Sequence, residues 1–206
     1  MTDNFLPLMI DEKKVYAGFW RRFGAGVVDF LILMPFVFLI VYLEGFNIPL
    51  AILIVIFSTF IFSVYNVYFH YKFGATLGKM AVGIRVTQPD GSKIELKHAL
   101  LRSSVDFAFA LFAMFAQIYA ILSVDSGQYL AAGMVERFEL ITPYYPVWYG
   151  FITIATQVWV WSEFLVLLFN KRRRAIHDFI AGTVVIKKAY AENEKVEETL
   201  QSATAS

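Results

Sequence analysis

The chain has no cysteine among its 206 residues and only three histidines. The first absence excludes disulfides, thiolate metal sites and a cysteine nucleophile. The second leaves His70, His98 and His177 without the paired spacing of a zinc site. No Asn-x-Ser/Thr sequon occurs. "GATLGK", Gly74 to Lys79, is short of phosphate-loop spacing and has no Ser or Thr after its lysine. There is no nucleophile elbow either. The expectation is a protein that is not an enzyme, with no cofactor, no metal and no nucleic-acid partner. Met1 to Lys14 also lacks the apolar core of a cleavable signal, so the first apolar block is expected to remain in the mature chain.

Apolar residues are abundant instead. They make up 58% of the chain, with 21 phenylalanines, against roughly 45–50% in a soluble domain. They gather into four blocks, near Gly26–Leu43, Pro49–Tyr71, Val105–Val124 and Val147–Phe169. Each is close to the ~20 helical residues that cross ~30 Å of hydrocarbon, so the fold class expected is an all-α protein with four transmembrane helices. Basic residues are nearly absent from one side. Of 18 Lys and Arg, only Arg137 falls in the first or third loop, where Asp125, Glu136 and Glu139 accompany it. By the positive-inside rule both termini are expected to be cytoplasmic; the membrane expected is, separately, a bacterial plasma membrane. The basic run Lys171–Arg174 reads as a topology determinant and anionic-lipid anchor.

Between the second and third blocks, Thr76 caps a short interfacial helix that Gly83 ends, and Ile84–Thr87 reads as a strand. "QPDG" is a turn, from which Ile94–Leu96 is expected to return as a second strand. The segment after the fourth block repeats this order: basic residues, "AIHDFIA", Gly182, then "TVVIK". Aligning Gly83 with Gly182 predicts a 2+2 internal repeat, a small β ribbon pairing Ile84–Thr87 with Thr183–Lys187, and Lys79 near Asp178. The domain organisation expected is a segment 1–14, a four-span domain 15–188 and a disordered polar tail 189–206.

Three acids, Asp29, Asp106 and Glu163, lie within or at the edge of the blocks, where an isolated aspartate costs about 2.5–3.5 kcal/mol at the bilayer centre. Each should face a partner, the protein interior or water. Asn66 and His70 share their leaflet, beside Arg22 and Arg102, so this end of the bundle should hold a polar network or a cavity. Arg22 and Asp29 lie on one helix face but roughly 10 Å apart along the axis, so Arg22 is expected to reach another element, at Asp178 or Glu163. Arg102 and Asp106, four apart, are expected to meet.

"FWRRFGAGVVDF", "TLGKMAVGIRV", "DGS" and "RRRAIHDFIAGTVVI" resemble the RDD family of membrane proteins, named for an arginine and two aspartates. The resemblance covers most of Tyr16 to Lys187 and implies that Arg22, Asp29 and Asp178 are the naming residues. It also implies transport, with monovalent cation/proton exchange as the most concrete activity, or an accessory part in a membrane complex. The ion- or proton-coupling candidates are Asp29 and Asp178 together with Asp106 and Glu163, which lie outside the naming residues and rest on their position in the apolar blocks alone, with Arg22, Arg102, Lys79, Asn66 and His70 as network partners. The partners expected are the lipid bilayer, monovalent cations and protons, and a second copy or a membrane-complex subunit. The alternative is a non-transporting scaffold or assembly factor whose Arg/Asp network is structural.

Overall fold

A computed structural model describes residues 5–191. The expected tail therefore lies outside the described residues from position 192 onward. The chain opens with a hairpin, β1 (Met9–Ile10) and β2 (Lys13–Lys14), turned by Asp11 and Glu12, both at positive φ. Four long helices then dominate: α1 (Phe19–Leu43), α2 (Ile48–Phe73), α4 (Leu96–Ser123) and α7 (Val147–Phe169), all long and apolar enough to cross a membrane. Between α2 and α4 lie α3 (Leu77–Ala81) and β3 (Ile84–Thr87). Two short helices, α5 (Ser126–Ala131) and α6 (Met134–Ile141), separate α4 from α7. The chain closes with α8 (Ile176–Ile180), β4 (Val184–Lys187) and a 3-10 turn at Lys188–Tyr190.

Caps set these boundaries. Asn47 Oδ1 accepts from the Leu50 N–H at 2.9 Å to start α2, and Asp125 does the same for α5 through the Gln128 N–H at 2.9 Å. Thr76 caps α3, and Gly83 follows it at φ 67°. The same order recurs at α8, where Gly182 sits at φ 64°, the left-handed conformation that favours glycine after a helix end. β3 and β4 pair antiparallel, from Ile84↔Lys187 to Thr87↔Val184. On its other edge β4 is met by the stretch before α1: the Ala17 N–H donates to the Val185 carbonyl at 2.9 Å, and the Lys187 N–H to that of Val15 at 3.0 Å.

One expectation is corrected. Ile94–Leu96 does not return as a strand. The return is a single bridge, Thr87↔Lys93, and α4 begins at Leu96, whose first turn is held by contacts such as the Ala99 N–H to the Glu95 carbonyl at 3.2 Å.

The chain divides into two compact units, one comprising the stretch up to Ile32, Asn66–Ser103 and the part from Trp161 on, the other Leu33–Tyr65 and Ser104–Val160. The first unit has two buried clusters. Ala17, Ala25, Ile84, Val86, Ile94, Ala99 and Val185 form one, and Leu6, Val15, Tyr16, Val184 and Ile186 the other. Alternate residues of β4 thus serve opposite cores, as the two-residue period of a strand requires. In the second unit Ala51, Val55, Met114, Ala120 and Ile121 pack with Tyr129 and Ile141 of the short helices. The long helices otherwise turn large apolar side chains outward, Phe30, Phe57 and Leu122 among them, as surfaces facing lipid do.

Candidate functional site

Asp178 is the centre of the first unit's polar network and is wholly buried. It occupies the third position of α8, so its Oδ2 accepts from the Ala175 N–H at 2.9 Å and caps its own helix. Two arginines from distant parts of the chain converge on it. Arg22 of α1 donates from Nη1 to Oδ2 at 2.6 Å, and Arg102 of α4 donates to Oδ1. Each guanidinium is also engaged elsewhere. Arg22 reaches the Arg173 carbonyl, while Arg102 donates to Thr183 Oγ1 at 2.9 Å and to His177 Nε2 at 2.6 Å. Burial alone would push the Asp178 carboxyl up, but Arg102 and Arg22, with His177 and the Ala175 N–H, hold it well below the usual carboxylate range.

His177 extends the network to α7. Its backbone N–H donates to Glu163 Oε1 at 2.9 Å, and its Nδ1 faces the other Glu163 oxygen. Because Nε2 accepts from Arg102, the ring proton belongs on Nδ1, toward Glu163. Burial, then the Arg102 charge, lowers the imidazole pKa against the pull of Asp178 and Glu163, which favours the neutral ring. Arg174 closes the back of the site, donating from Nη2 to the Asp178 carbonyl at 3.0 Å and from Nε to that of Thr183 at 3.1 Å.

Asp29 belongs to a neighbouring cluster. One oxygen accepts from the Thr76 hydroxyl at 2.6 Å and the other from the Gly78 N–H at 2.7 Å. The acid in the middle of an apolar sequence thus anchors α3 to α1 by satisfying the N–H groups that a helix start leaves open. Gly78 permits the approach: a Cβ there would lie 2.1 Å from the Ala25 carbonyl oxygen and 2.7 Å from Asp29 Cγ. On the same short helix, Lys79 Nζ lies 2.7 Å from Nε2 of the buried His70, whose Nδ1 is 2.7 Å from the Asn66 carbonyl. The Nδ1 proton is therefore directed at that carbonyl, and Nε2 presents its lone pair to the lysine. Lys79 is hydrogen-bonded to His70, and Asp178, expected near it, is among the charges that act on its ammonium.

The RDD family model matches residues 16–182. The chain belongs to the RDD family. No curated protein and no solved structure matches it.

The arginine and the two aspartates that the family resemblance points to all lie in the first unit. Arg22 pairs with Asp178, while Asp29 accepts from the Thr76 hydroxyl and the Gly78 N–H. In this RDD protein the anticipated i,i+4 pair also gives way, since Arg102 turns to Asp178 and Asp106 accepts from Trp159 Nε1 at 2.9 Å within the second unit. Asp106 there edges a 430 Å³ groove between α4 and α7, lined further by Tyr149, Thr153, Thr156 and Gln157.

Sequence reasoning passed over three groups. In the sequence His177 figures only as a histidine without zinc spacing, Thr183 only as a strand residue, and Glu44 not at all. Glu44 is buried in the second unit with Arg137, Tyr129 and Tyr145 near it. Burial raises its carboxyl to about 7 against the opposing Arg137 charge. The signal for this group was the single arginine in an otherwise non-basic loop.

Proposed function

We propose that this RDD-family chain is a secondary transporter that exchanges a monovalent cation, Na⁺ or K⁺, for protons. It sits in a bacterial plasma membrane with both termini cytoplasmic. Four spans leave little room for a complete alternating-access path in one subunit, so the working unit is a homo-oligomer. The observation that carries this reading is what α3 brings together. Its cap, Thr76, puts a hydroxyl against the Asp29 carboxylate, a set of hard oxygens suited to a small cation. Its Lys79 sits nitrogen to nitrogen with His70, an arrangement in which one of the two must offer a lone pair and a proton can pass between them. A carboxylate near the membrane that takes either a proton or a cation couples the two species, because it cannot hold both at full charge.

Asp178 is the fixed element in this reading. A carboxyl held well below its usual range by two guanidiniums stays ionised near neutral pH. Glu163, with His177 as its donor, is the second candidate carboxylate, and Asp106 lies in the other unit.

The test is dissipation of a pH gradient by added Na⁺ or K⁺ in everted vesicles containing the protein. Exchange is expected in the native chain and its loss in Asp29→Asn, with expression unchanged. A second reading, a non-transporting scaffold, is favoured by the closure of the Arg22–Asp178–Arg102 network, which has the form of a register-fixing frame. It predicts no flux at all and a reproducible co-purifying membrane partner.

A further inference from the structure

A cavity of about 900 Å³ lies beside the start of α1 and the end of α7, floored by the β1–β2 hairpin and β4. Five cations line it: Lys14, Arg21, Lys171, Arg173 and Lys187, with no acid among the lining residues. Among the described residues none of these five side chains makes an ion pair. Lys187 stands over the Tyr190 ring at 6.0 Å, and its ammonium pKa is lowered by burial and then by the charges of Arg21, Lys13 and Lys14. Like charges are thus gathered against one another around an open space, an arrangement that an anion would relieve.

The rest of the lining indicates which anion. Trp20 and Phe169, 78% and 88% exposed, stand at the terminal turns of two spans, and Leu8 and Met9 of the hairpin are exposed beside them. A tryptophan at a helix end, next to basic residues, is the side-chain pattern of the membrane interface. The basic run after α7 is also divided by function. Arg172 lies 3.8 Å from the Phe5 ring and Arg174 braces the Asp178 turn, whereas Lys171 and Arg173 face the cavity.

We infer that this cavity binds the headgroup of an anionic phospholipid, its phosphate among the five cations and its acyl chains along the exposed apolar ends of α1 and α7. A soluble anion would use the cations but leave the apolar rim without a role. A zwitterionic lipid would use the rim but bring its own positive charge to a cationic site.

Trp20 supplies the probe. A variant retaining it as the single tryptophan (W148F, W159F, W161F) is reconstituted in phosphatidylcholine containing a rising fraction of dibrominated phosphatidylglycerol or dibrominated phosphatidylcholine. Native mass spectrometry of the unaltered chain with the same two lipids runs in parallel. The expected result is preferential quenching and retention of phosphatidylglycerol by about fivefold or more, the factor contributed by one well-placed cation near an anionic surface. The preference should fall to about one in the triple variant R21Q/K171Q/K187Q and persist in K72Q/K93Q/K97Q, which removes as many charges elsewhere. Equal binding of the two lipids by the native chain would overturn the inference. So would an equal loss in both triple variants, or displacement of the lipid by millimolar inorganic phosphate.

Discussion

At the residue scale, Asp178 is stabilised by what surrounds it. Its two oxygens are matched to Arg22, Arg102 and the Ala175 N–H, and removing the charge would leave two guanidiniums facing each other in a buried space. Breaking a buried ion pair from one side costs about 3–5 kcal/mol, so Asp178→Asn is expected to lower the detergent-solubilised melting temperature sharply. A melting temperature within experimental error of the native protein would show that the network contributes little. Asp178 is fully buried, 76 positions from Arg102 and 156 from Arg22. Separation explains what the sequence could and could not show. The improbability of an Arg22–Asp29 contact was legible from helical geometry, which directed Arg22 to another element, at Asp178 or Glu163, without choosing between them. The second arginine was assigned to Asp106 because four-residue spacing is a local rule, and the pull of a buried carboxylate on another element overrides it.

Glu44 gives a different prediction at the same scale. Its carboxyl is raised from the ordinary 4.5 to about 7 by burial, with Arg137 opposing and Tyr129 and Tyr145 nearby. A group with a raised folded-state pKa binds its proton more tightly when folded. Its contribution to stability is therefore full below about 4.5 and is lost as pH rises through about 7. Thermal unfolding monitored between about pH 5 and pH 8 should show stability falling with pH. Glu44→Gln should flatten that slope; an unchanged slope would assign the dependence to another group.

At the scale of elements, α3 is too short to persist alone and depends on Thr76, Asp29 and the close approach at Gly78. Gly78→Ala places a methyl group inside contact distance of the Ala25 carbonyl, so overpacking of about 1–3 kcal/mol is expected. Limited proteolysis between Phe73 and Ile84 should become faster as α3 undocks. Proteolysis at the native rate would mean that α1 yields instead. The four spans were legible because long apolar runs have few other uses, and α7 starts and ends at the residues expected. The strand pairing was legible from matched β-branched stretches after Gly83 and Gly182. A pair of like helix-to-strand turns is what the structure holds of the expected repeat. The β1–β2 hairpin was not foreseen because it needs Asp11 and Glu12 both at positive φ, and Glu12 stands where a glycine would have signalled the turn. Helices α5 and α6 were missed for a related reason: six and eight residues long, they owe their stability to caps and to the packing of Tyr129 and Ile141.

At the scale of the whole molecule, four helices long and apolar enough to cross a membrane carry the RDD family match, and the acids of the first unit raise the question of whether any of them changes state. The structure separates these acids by surroundings. Asp178 is bracketed by two guanidiniums, Glu163 faces a histidine, and Asp29 sits at the start of a short helix that also carries Lys79. Exchange by this set requires a moving proton and a moving cation, whereas a frame requires neither. The most direct measurement is proton efflux from proteoliposomes of the purified native chain, driven by an inward Na⁺ or K⁺ gradient, with Asp29→Asn and Lys79→Met alongside. The account predicts cation-dependent proton movement in the native protein, abolished by Asp29→Asn and slowed at least about tenfold by Lys79→Met, a loss of roughly 1.4 kcal/mol or more in the barrier. Native protein that is folded, inserted and silent toward both cations would contradict it.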